Sequence, residues 1–282
     1  MNFYKETNFI ACDATFKESK VVLAGLPYDG TSSFRPGSRF APDAIRKASY
    51  STESFSAVAE KDIADYKVCD MGNLEFPFGD RSKVLSETTG LAAHMIGNKK
   101  TAIYIGGEHL LTYPILTQYK AKYPNLRVVY WDAHADMRDD YLGDKLSHAT
   151  AARRTAETVG ADRLFMFGIR SFEKQEYLFM KKKEIFFDTY FEKFFEVIKK
   201  IKKYPVYFSL DMDVFDPAAL PGLGTPEAGG IFYKDFLRFL EGLKQLNIVG
   251  MDVLELAPNY DASGNSSVFA AKVIRELILS AV

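Results

Sequence analysis

The chain of 282 residues carries a formal net charge of −1, with 47% apolar and 26% charged residues. This balance is typical of a globular protein, and it gives no reason to expect nucleic acid or an anionic membrane surface as a partner. No stretch approaches the ~20 consecutive apolar residues of a membrane span. The N-terminal segment "MNFYKETNFIACDATFKESK" lacks the apolar core of a secretory signal, so we expect a cytoplasmic protein.

Short runs rich in β-branched and aromatic residues predict eight strands along the chain. Several of them are apolar on both faces, as in a parallel sheet that helices cover on both sides. In chain order they are "VVLAGLP" from Val21, "YKVCDMG" from Tyr66, "TAIYIGG" from Thr101, "LRVVYWDAHAD" from Leu126, "RLFMFGIR" from Arg163, "EIFFD" from Glu184, "PVYFSLDMD" from Pro205 and "NIVGMDVLEL" from Asn247.

Between these runs, apolar residues recur at the three- and four-residue spacing of amphipathic helices. The helical segments begin at Ser82, His109, Thr189, Tyr233 and Ser266, and Ser266 or Ser267 is the expected N-cap of the last helix. Alternating strands and helices predict a single α/β domain over residues 1–282 with a mostly parallel sheet. An open three-layer sandwich and a closed eight-stranded barrel both fit, and both place active sites at the carboxyl ends of the strands.

Metal-binding side chains follow two of the predicted strands at alternate positions. In "WDAHAD" these are Asp132, His134 and Asp136, and in "SLDMDVFDP" they are Asp211 and Asp213. Alternate residues of an extended chain point to the same face. Each group can therefore present its side chains together at the end of its strand.

Two other strands end in "GGEH", with His109, and in "MDVLELAP", with Glu255. Because loops at the carboxyl edge of a parallel sheet converge, these distant groups are expected to meet. Two imidazoles and four aspartates suit Mn²⁺, with Fe²⁺, Co²⁺ or Zn²⁺ as alternatives. Six ligands suit two ions ~3.5–4 Å apart. With a bridging hydroxide such a site keeps a slight negative formal charge, which favours a cationic substrate.

The remaining residues of this kind are interpreted as structural. His94 lies in the middle of a predicted helix, away from the strand ends. Cys12 and Cys69 are too few for a disulfide framework and are expected to be free thiols in a reducing compartment.

Together these motifs resemble the ureohydrolases, the arginase and agmatinase family. The matching blocks run from about residue 20 to the end, and they include "GLPYDGTSSFRPGSRFAPDAIR", "GGEH", "WDAHAD", "FGIRS", "SLDMDVFDP", "GTPEAGG" and "VLELAP". The resemblance implies a three-layer α/β/α sandwich around an eight-stranded, mostly parallel sheet. It also implies a dimanganese centre, assembly into trimers or hexamers, and hydrolysis of a guanidinium group to urea and an amine.

The same resemblance implies a role for each site residue. Asp136 would take the proton of the attacking water and pass it to the leaving amine. Glu255 corresponds to the carboxylate that pairs with the substrate guanidinium. His148, in "LSHAT", matches a proton-shuttle histidine, although the family usually has Gly where Ala149 stands. One ion would be held by His109, Asp132, Asp136 and Asp211, and the other by His134, Asp132, Asp211 and Asp213, with Asp132 and Asp211 bridging.

The segment between the metal motif and His148 gives information about the identity of the substrate. Its acidic residues Asp139, Asp140 and Asp144 suit a substrate tail that ends in an amine, or they form an ordinary solvated face, so the substrate prediction depends mainly on the resemblance. "GTPEAGG" resembles agmatinases rather than arginases, and its Glu227 would either orient His148 or satisfy loop amides. The leading interpretation is hydrolysis of agmatine to putrescine and urea.

Two alternatives stay open. Arg138, in the same segment, can serve a carboxylate, which keeps guanidinobutyrate, arginine and formimidoylglutamate as candidate substrates. A non-catalytic relative is the second alternative, and the complete set of six metal ligands argues against it.

Overall fold

A computed structural model describes residues 1–282, which form eight α-helices and eleven strands joined by short 3₁₀ turns. In chain order the elements are β1 (Phe3–Tyr4), β2 (Val21–Gly25), α1 (Ala41–Ser49), β3 (Phe55–Ser56), β4 (Lys61–Asp62), β5 (Val68–Leu74), α2 (Arg81–Gly97), β6 (Thr101–Ile105), α3 (Thr112–Lys122), β7 (Arg127–Trp131), α4 (Ala151–Val159), β8 (Leu164–Phe167), α5 (Lys174–Lys182), β9 (Phe186–Asp188), α6 (Phe194–Ile201), β10 (Pro205–Asp211), α7 (Tyr233–Leu243), β11 (Asn247–Leu254) and α8 (Asn265–Ala281). No helix combines the length and the apolar character needed to cross a membrane.

The main sheet has nine strands in the order β1-β5-β2-β6-β11-β10-β7-β8-β9. All neighbours are parallel except β1, which pairs antiparallel with β5. The eight predicted strands are all present, and the sheet is open, so the barrel alternative is wrong. The ninth strand was not predicted, because two residues are too short to show an alternating pattern.

The two faces of the sheet carry separate apolar cores. Residues of one strand alternate between them: Val21 and Leu23 belong to one cluster, whereas Val22 and Ala24 belong to the other. The larger cluster packs the sheet against α1, α6, α7 and α8, and the smaller packs it against α2, α3, α4 and α5. This arrangement is the predicted three-layer α/β/α sandwich, and it explains why the central strands are apolar on both sides.

Several helix boundaries differ from the predictions. Helices α1, α4 and α5 were not predicted, and the helix expected from Thr189 begins only at Phe194. The N-cap position of the last helix is Gly264 rather than Ser266 or Ser267, and Gly264 makes no side-chain capping bond. Asp261 replaces the expected serine cap, because its carboxylate accepts from the backbone N–H and the hydroxyl of Ser266. An acidic side chain upstream of the helix thus takes the capping role.

Candidate metal and substrate site

Four strands that lie side by side in the sheet, β6, β11, β10 and β7, bring the predicted site residues together. At their carboxyl ends Leu210 of β10 pairs with Trp131 of β7, and Asp211 pairs with Leu254 of β11. His109 follows β6 and Glu255 follows β11 directly. Chain segments more than 100 residues apart therefore meet at one edge, as the parallel sheet predicts.

The first cluster of candidate ligands surrounds the buried imidazole of His109. Its Nδ1 lies 2.9 Å from Oδ2 of Asp211, 3.0 Å from Oδ2 of Asp132 and 3.8 Å from Oδ2 of Asp136. The ring stacks on Tyr130, with ring centroids 4.4 Å apart. The stacking fixes the plane of the imidazole and keeps Nδ1 directed at the three carboxylates.

The second cluster surrounds His134, whose side chain is partly exposed. Its Nδ1 lies 2.8 Å from Oδ2 of Asp213 and 3.7 Å from Oδ1 of Asp132. The other oxygen of Asp213 accepts from the backbone N–H of Ala133 at 2.9 Å. Asp132 thus belongs to both clusters, as expected of a bridging carboxylate.

The local backbone departs from the extended chain that the alternation suggested. Asp213 lies on a 3₁₀ turn, where its backbone N–H donates to the side chain of Asp211 at 2.8 Å. Asp136 follows the end of β7 and has a φ of 48°, and Glu255 has a φ of 64°. Both values are in the left-handed region, which is uncommon for residues other than glycine and concentrates at functional sites.

A series of buried polar side chains contacts the Nε2 side of the His109 ring. Its Nε2 lies 2.9 Å from the hydroxyl oxygen of Ser209, and Ser209 donates to Oδ1 of Asp252 at 2.7 Å. Thr112 and Tyr207 also donate to Asp252, which is fully buried. Because the Ser209 hydroxyl gives its only proton to Asp252, it accepts from Nε2–H and leaves Nδ1 of His109 free for a cation.

The pKa values of the clustered side chains indicate a site that binds cations. Burial raises the pKa of Asp132, Asp136 and Asp211 well above the ordinary range, with the charge of Asp213 adding to the rise. Burial also lowers the pKa of His134, but the carboxylate of Asp213 outweighs it and raises that pKa to about 9. So many buried carboxyl groups become fully ionised only when positive charge is supplied among them.

The donor atoms fit a pair of transition-metal ions. His109, Asp132 and Asp211 form one group, and Asp132, His134 and Asp213 form another, with the ligand atoms of each group within 4.8 Å of one another. Nδ1 of His109 and Oδ2 of Asp132 are buried and have no hydrogen-bond partner in the protein. Buried polar atoms without partners are rare, and here both lie inside the cluster where a cation would satisfy them.

A cavity of about 320 Å³ opens onto both clusters. Glu255 lies at its inner end, where the backbone N–H of His109 donates to Oε1 at 2.8 Å. Burial, followed by the nearby Glu108, raises the pKa of Glu255 well above its usual value. The inner wall is therefore strongly acidic and comprises His134, Asp136, Asp211, Asp213 and Glu255.

His148 also lines the cavity and is partly exposed. Its backbone N–H donates to the hydroxyl of Thr31 at 3.0 Å, and its Nε2 lies 3.3 Å from the hydroxyl oxygen of Ser33. Burial lowers the pKa of its imidazole. Ala149, where the family has Gly, lines the cavity beside it.

Glu227 makes neither of the contacts predicted for its side chain. Its carboxylate has no hydrogen bond with His148 or with a loop amide, and only its backbone carbonyl is used, by Arg170 at 2.8 Å. It does not line the cavity, although its charge contributes to the raised pKa of His134. A direct role in holding substrate stays a prediction that this geometry does not favour.

Of the two interpretations of the acidic segment, the geometry favours a surface segment over one that faces the substrate. Asp139 pairs with two arginines of α4, Arg153 at 3.4 Å and Arg154 at 3.3 Å, and Asp144 pairs with Arg81. Asp140 accepts from a backbone N–H of its own loop. None of the three lines the cavity, because each is neutralised or turned toward its own loop.

Sequence analysis missed four functional candidates. Ser209 and Asp252 orient His109, and Thr31 links the buried Glu108 to His148. Ser209 and Asp252 lie inside predicted strands, where a polar residue among apolar ones was the available hint. Thr31 lies in a polar loop in which no pattern separates it from its neighbours.

Comparison with known proteins decides the family. A model of the arginase family matches residues 19–280. The sequence is 38% identical to an agmatinase of Bacillus cereus over 282 residues, which cover 98% of this chain and 97% of the relative. The chain belongs to the arginase family. An agmatinase of Bacillus subtilis in the same family is also 38% identical, over 99% of this chain and 98% of its own.

Solved structures agree with this placement. The agmatine ureohydrolase of Thermoplasma volcanium superposes with a TM-score of 0.89 at 31% identity, covering 98% of this chain and 94% of that structure. The resemblance drawn from the motifs is therefore confirmed, together with the arginase fold and the class of metal-dependent amidinohydrolase.

Proposed function

We propose that this arginase-family protein hydrolyses agmatine to putrescine and urea with two manganese ions. The observation that carries the proposal is the 38% identity to agmatinases along nearly the whole chain. The acidic cavity supports it, because a guanidinium cation is attracted to the carboxylates at its inner end.

The residues of the two clusters would hold the ions. One ion is assigned His109, Asp132, Asp136 and Asp211, and the other His134, Asp132, Asp211 and Asp213. When bound, the two cations acidify water and stabilise negative charge that develops during hydrolysis. The support for this assignment is the pair of unpartnered buried atoms on His109 and Asp132 and the mixed imidazole and carboxylate donor set.

The other side chains of the cavity act on the substrate and its protons. Glu255 is anchored through Oε1 and turns its carboxylate to the guanidinium, whose paired N–H groups match it in shape and charge. Asp136 takes a proton from the attacking water and delivers it to the leaving nitrogen. His148, which also lines the cavity, brings a further proton from solvent, so that the amine leaves as an ammonium ion.

The outer part of the cavity favours an amine-tailed substrate. Arg138 lines it, but its guanidinium already pairs with Glu173 at 2.9 Å. A substrate carboxylate would have to break this pair, so the cavity offers it no unpaired arginine. This contact supports agmatine over guanidinobutyrate and formimidoylglutamate.

A substrate panel tests the proposal. The purified protein is loaded with Mn²⁺ and given agmatine, arginine, guanidinobutyrate and formimidoylglutamate, and urea, formamide and amine are measured. We expect urea and putrescine from agmatine at the highest kcat/KM. Formamide release would identify a formimidoyl hydrolase, and no turnover of any compound would favour a non-catalytic relative.

Replacing Glu255 with Gln is expected to raise KM for agmatine and to lower kcat, because the neutral amide loses the charge-assisted pair with the guanidinium. We expect kcat/KM to fall by about 10²-fold or more. Steady-state kinetics measures both constants. The matched control is Glu241→Gln, which removes an exposed carboxylate on α7. Unchanged KM and kcat for Glu255→Gln would place Glu255 outside the site.

Metal affinity is expected to rise with pH. The pKa of His134 is raised to about 9 before a cation binds, so below that pH the imidazole carries a proton that the metal must displace. Affinity should increase by at least about tenfold for each pH unit between about pH 6 and about pH 8, because His134 releases one proton and the buried carboxyl groups, whose pKa is also raised, release more. Titration with Mn²⁺ at several pH values measures this slope, and a flat profile would contradict the assignment of His134.

Three expectations stay predictions. Manganese as the metal in the cell and a trimer or hexamer in solution come from the resemblance, and a cytoplasmic location comes from the N-terminal segment. Metal analysis of the protein isolated from its natural host and analytical ultracentrifugation test the first two.

A further inference from the structure

A buried carboxylate next to the first cluster reaches the proton-shuttle candidate through a single hydroxyl. Glu108 is completely buried, and both of its oxygens accept hydrogen bonds from Thr31. The backbone N–H of Thr31 donates to Oε2 at 2.7 Å, and the Thr31 hydroxyl donates to Oε1 at 2.7 Å. Glu108 does not line the cavity, so this carboxylate has no part in the roles assigned above.

The same hydroxyl touches His148 at two points. The backbone N–H of His148 donates to Oγ1 of Thr31 at 3.0 Å, and Nδ1 of the imidazole lies 3.4 Å from Oγ1, a long contact. Catalytic hydrogen bonds of this length are common in enzymes without substrate. Three groups therefore converge on one oxygen atom.

Proton counting decides the direction of each bond. A hydroxyl has one proton and two lone pairs, and an ionised carboxylate only accepts. The Thr31 proton points to Glu108, so Oγ1 can only accept from His148. Nδ1 must then carry the hydrogen in that contact.

We infer that Glu108 and Thr31 are positioning residues for His148, holding it as the tautomer with hydrogen on Nδ1 and leaving Nε2 as the atom that exchanges protons. The inference rests on the proposed function, in which His148 carries a proton between the cavity and solvent. Nε2 lies 3.3 Å from the hydroxyl oxygen of Ser33, which lines the cavity and supplies the next polar atom on that path.

The arrangement also accounts for the shape of the loop after β2. Thr31 is tied to Glu108 by two bonds, and the backbone N–H of Glu108 donates to the carbonyl of Tyr28 at 2.8 Å. Glu108 thus fastens this loop to the end of β6, beside His109. A shift of Thr31 would move the backbone and the ring of His148 together.

Two variants of Thr31 separate the effect of its hydroxyl on kcat from the effect of its packing. Thr31→Val removes the hydroxyl with little change in shape, and Thr31→Ser keeps it. We expect Thr31→Val, assayed at pH 9, to lower kcat for agmatine by about tenfold or more. KM should change little, and Thr31→Ser should stay within about threefold of the unaltered protein.

The loss of kcat in Thr31→Val must also depend on the presence of His148. In a His148→Asn background, Thr31→Val should cause no further loss of kcat beyond about twofold, because its partner is already gone. An equal loss in both backgrounds, or equal damage from Thr31→Ser and Thr31→Val, would overturn the inference. Thermal unfolding of each variant shows whether the fold is intact.

The tautomer itself gives a readout that does not depend on turnover. The chain has four histidines, so ¹⁵N-histidine labelling yields few ring signals, and the His148→Asn spectrum identifies those of His148. Solid-state NMR of the Zn²⁺-loaded protein at pH 9 should show hydrogen on Nδ1. Thr31→Val and Glu108→Gln should populate the Nε2–H form.

Different results would refute the inference about His148 and the proposed function. Hydrogen on Nε2 of His148 in the unaltered protein would refute the inference even if agmatine is hydrolysed. Absence of agmatine turnover would refute the proposed function, and the ring nitrogen signals would still decide the tautomer.

Discussion

The Asp136→Asn protein is expected to hydrolyse agmatine about 10³-fold more slowly than the unaltered protein, or more slowly still, while keeping its fold. Asparagine has the same shape, but it cannot take a proton from water, and it lacks the charge of a metal ligand. Asp136 lines the cavity, and its Oδ2 is 3.8 Å from Nδ1 of His109, so both roles depend on this one carboxylate.

The backbone gives a reason to expect an intact fold. Residue 136 has a φ of 48°, in the left-handed region that Asn adopts as readily as Asp. Its carbonyl still accepts from the backbone N–H of Arg153, a contact that the substitution leaves unchanged. The thermal unfolding midpoint should therefore move little.

The measurements separate the two roles of Asp136. Urea release gives kcat, and metal analysis of the same sample gives the number of bound ions. Full metal content with lost turnover would show that proton transfer is the main role. The control is Asp162→Asn, which removes an exposed carboxylate far from the cavity, and a kcat for Asp136→Asn within about tenfold of the unaltered protein would exclude Asp136 as the general base.

The largest effect on stability is expected from Trp131→Ala, with a loss of about 3–5 kcal/mol in the free energy of unfolding. Trp131 is fully buried at the end of β7, directly before Asp132. Five phenylalanine rings surround it in edge-on contacts, with centroids 4.9–6.3 Å away, and they are Phe191, Phe194, Phe208, Phe236 and Phe239. Alanine would leave a cavity that this interlocked group cannot close.

Urea denaturation followed by circular dichroism measures the loss, because the substitution removes the only tryptophan and with it the fluorescence signal. Trp131→Phe is the matched control, since it keeps an aromatic ring and should cost clearly less. A loss below about 1 kcal/mol for Trp131→Ala would show that the surrounding rings repack into the space.

The central strands and the convergence of the main candidate ligands were predictable for the same physical reason. A strand buried on both faces has to be apolar along its length, so a polar residue at its end stands out, as Asp132 does after "VVYW". Because parallel strands end at one edge, Asp211 and His109 could be placed near it without any knowledge of the strand order.

Contacts between a polar side chain and a distant partner were not predictable. The ion pairs of Asp139 and Asp144 with arginines of α4 and α2 had no signature in the sequence. Helix α4 was missed, so its arginines had no position in the prediction. Thr31 reaches Glu108 across 77 positions of the chain, and no local pattern encodes such a pairing.

The position of β11 has a consequence during synthesis. This strand is the last to leave the ribosome, yet it lies between β6 and β10 in the centre of the sheet. A nascent chain that has exposed residues up to 246 has all of its aspartate and histidine ligands, but the strand that sets the spacing between His109 and Asp211 is still absent. We therefore expect a chain truncated before Asn247 to lose its affinity for metal, because its carboxylates would have no sheet to hold them together.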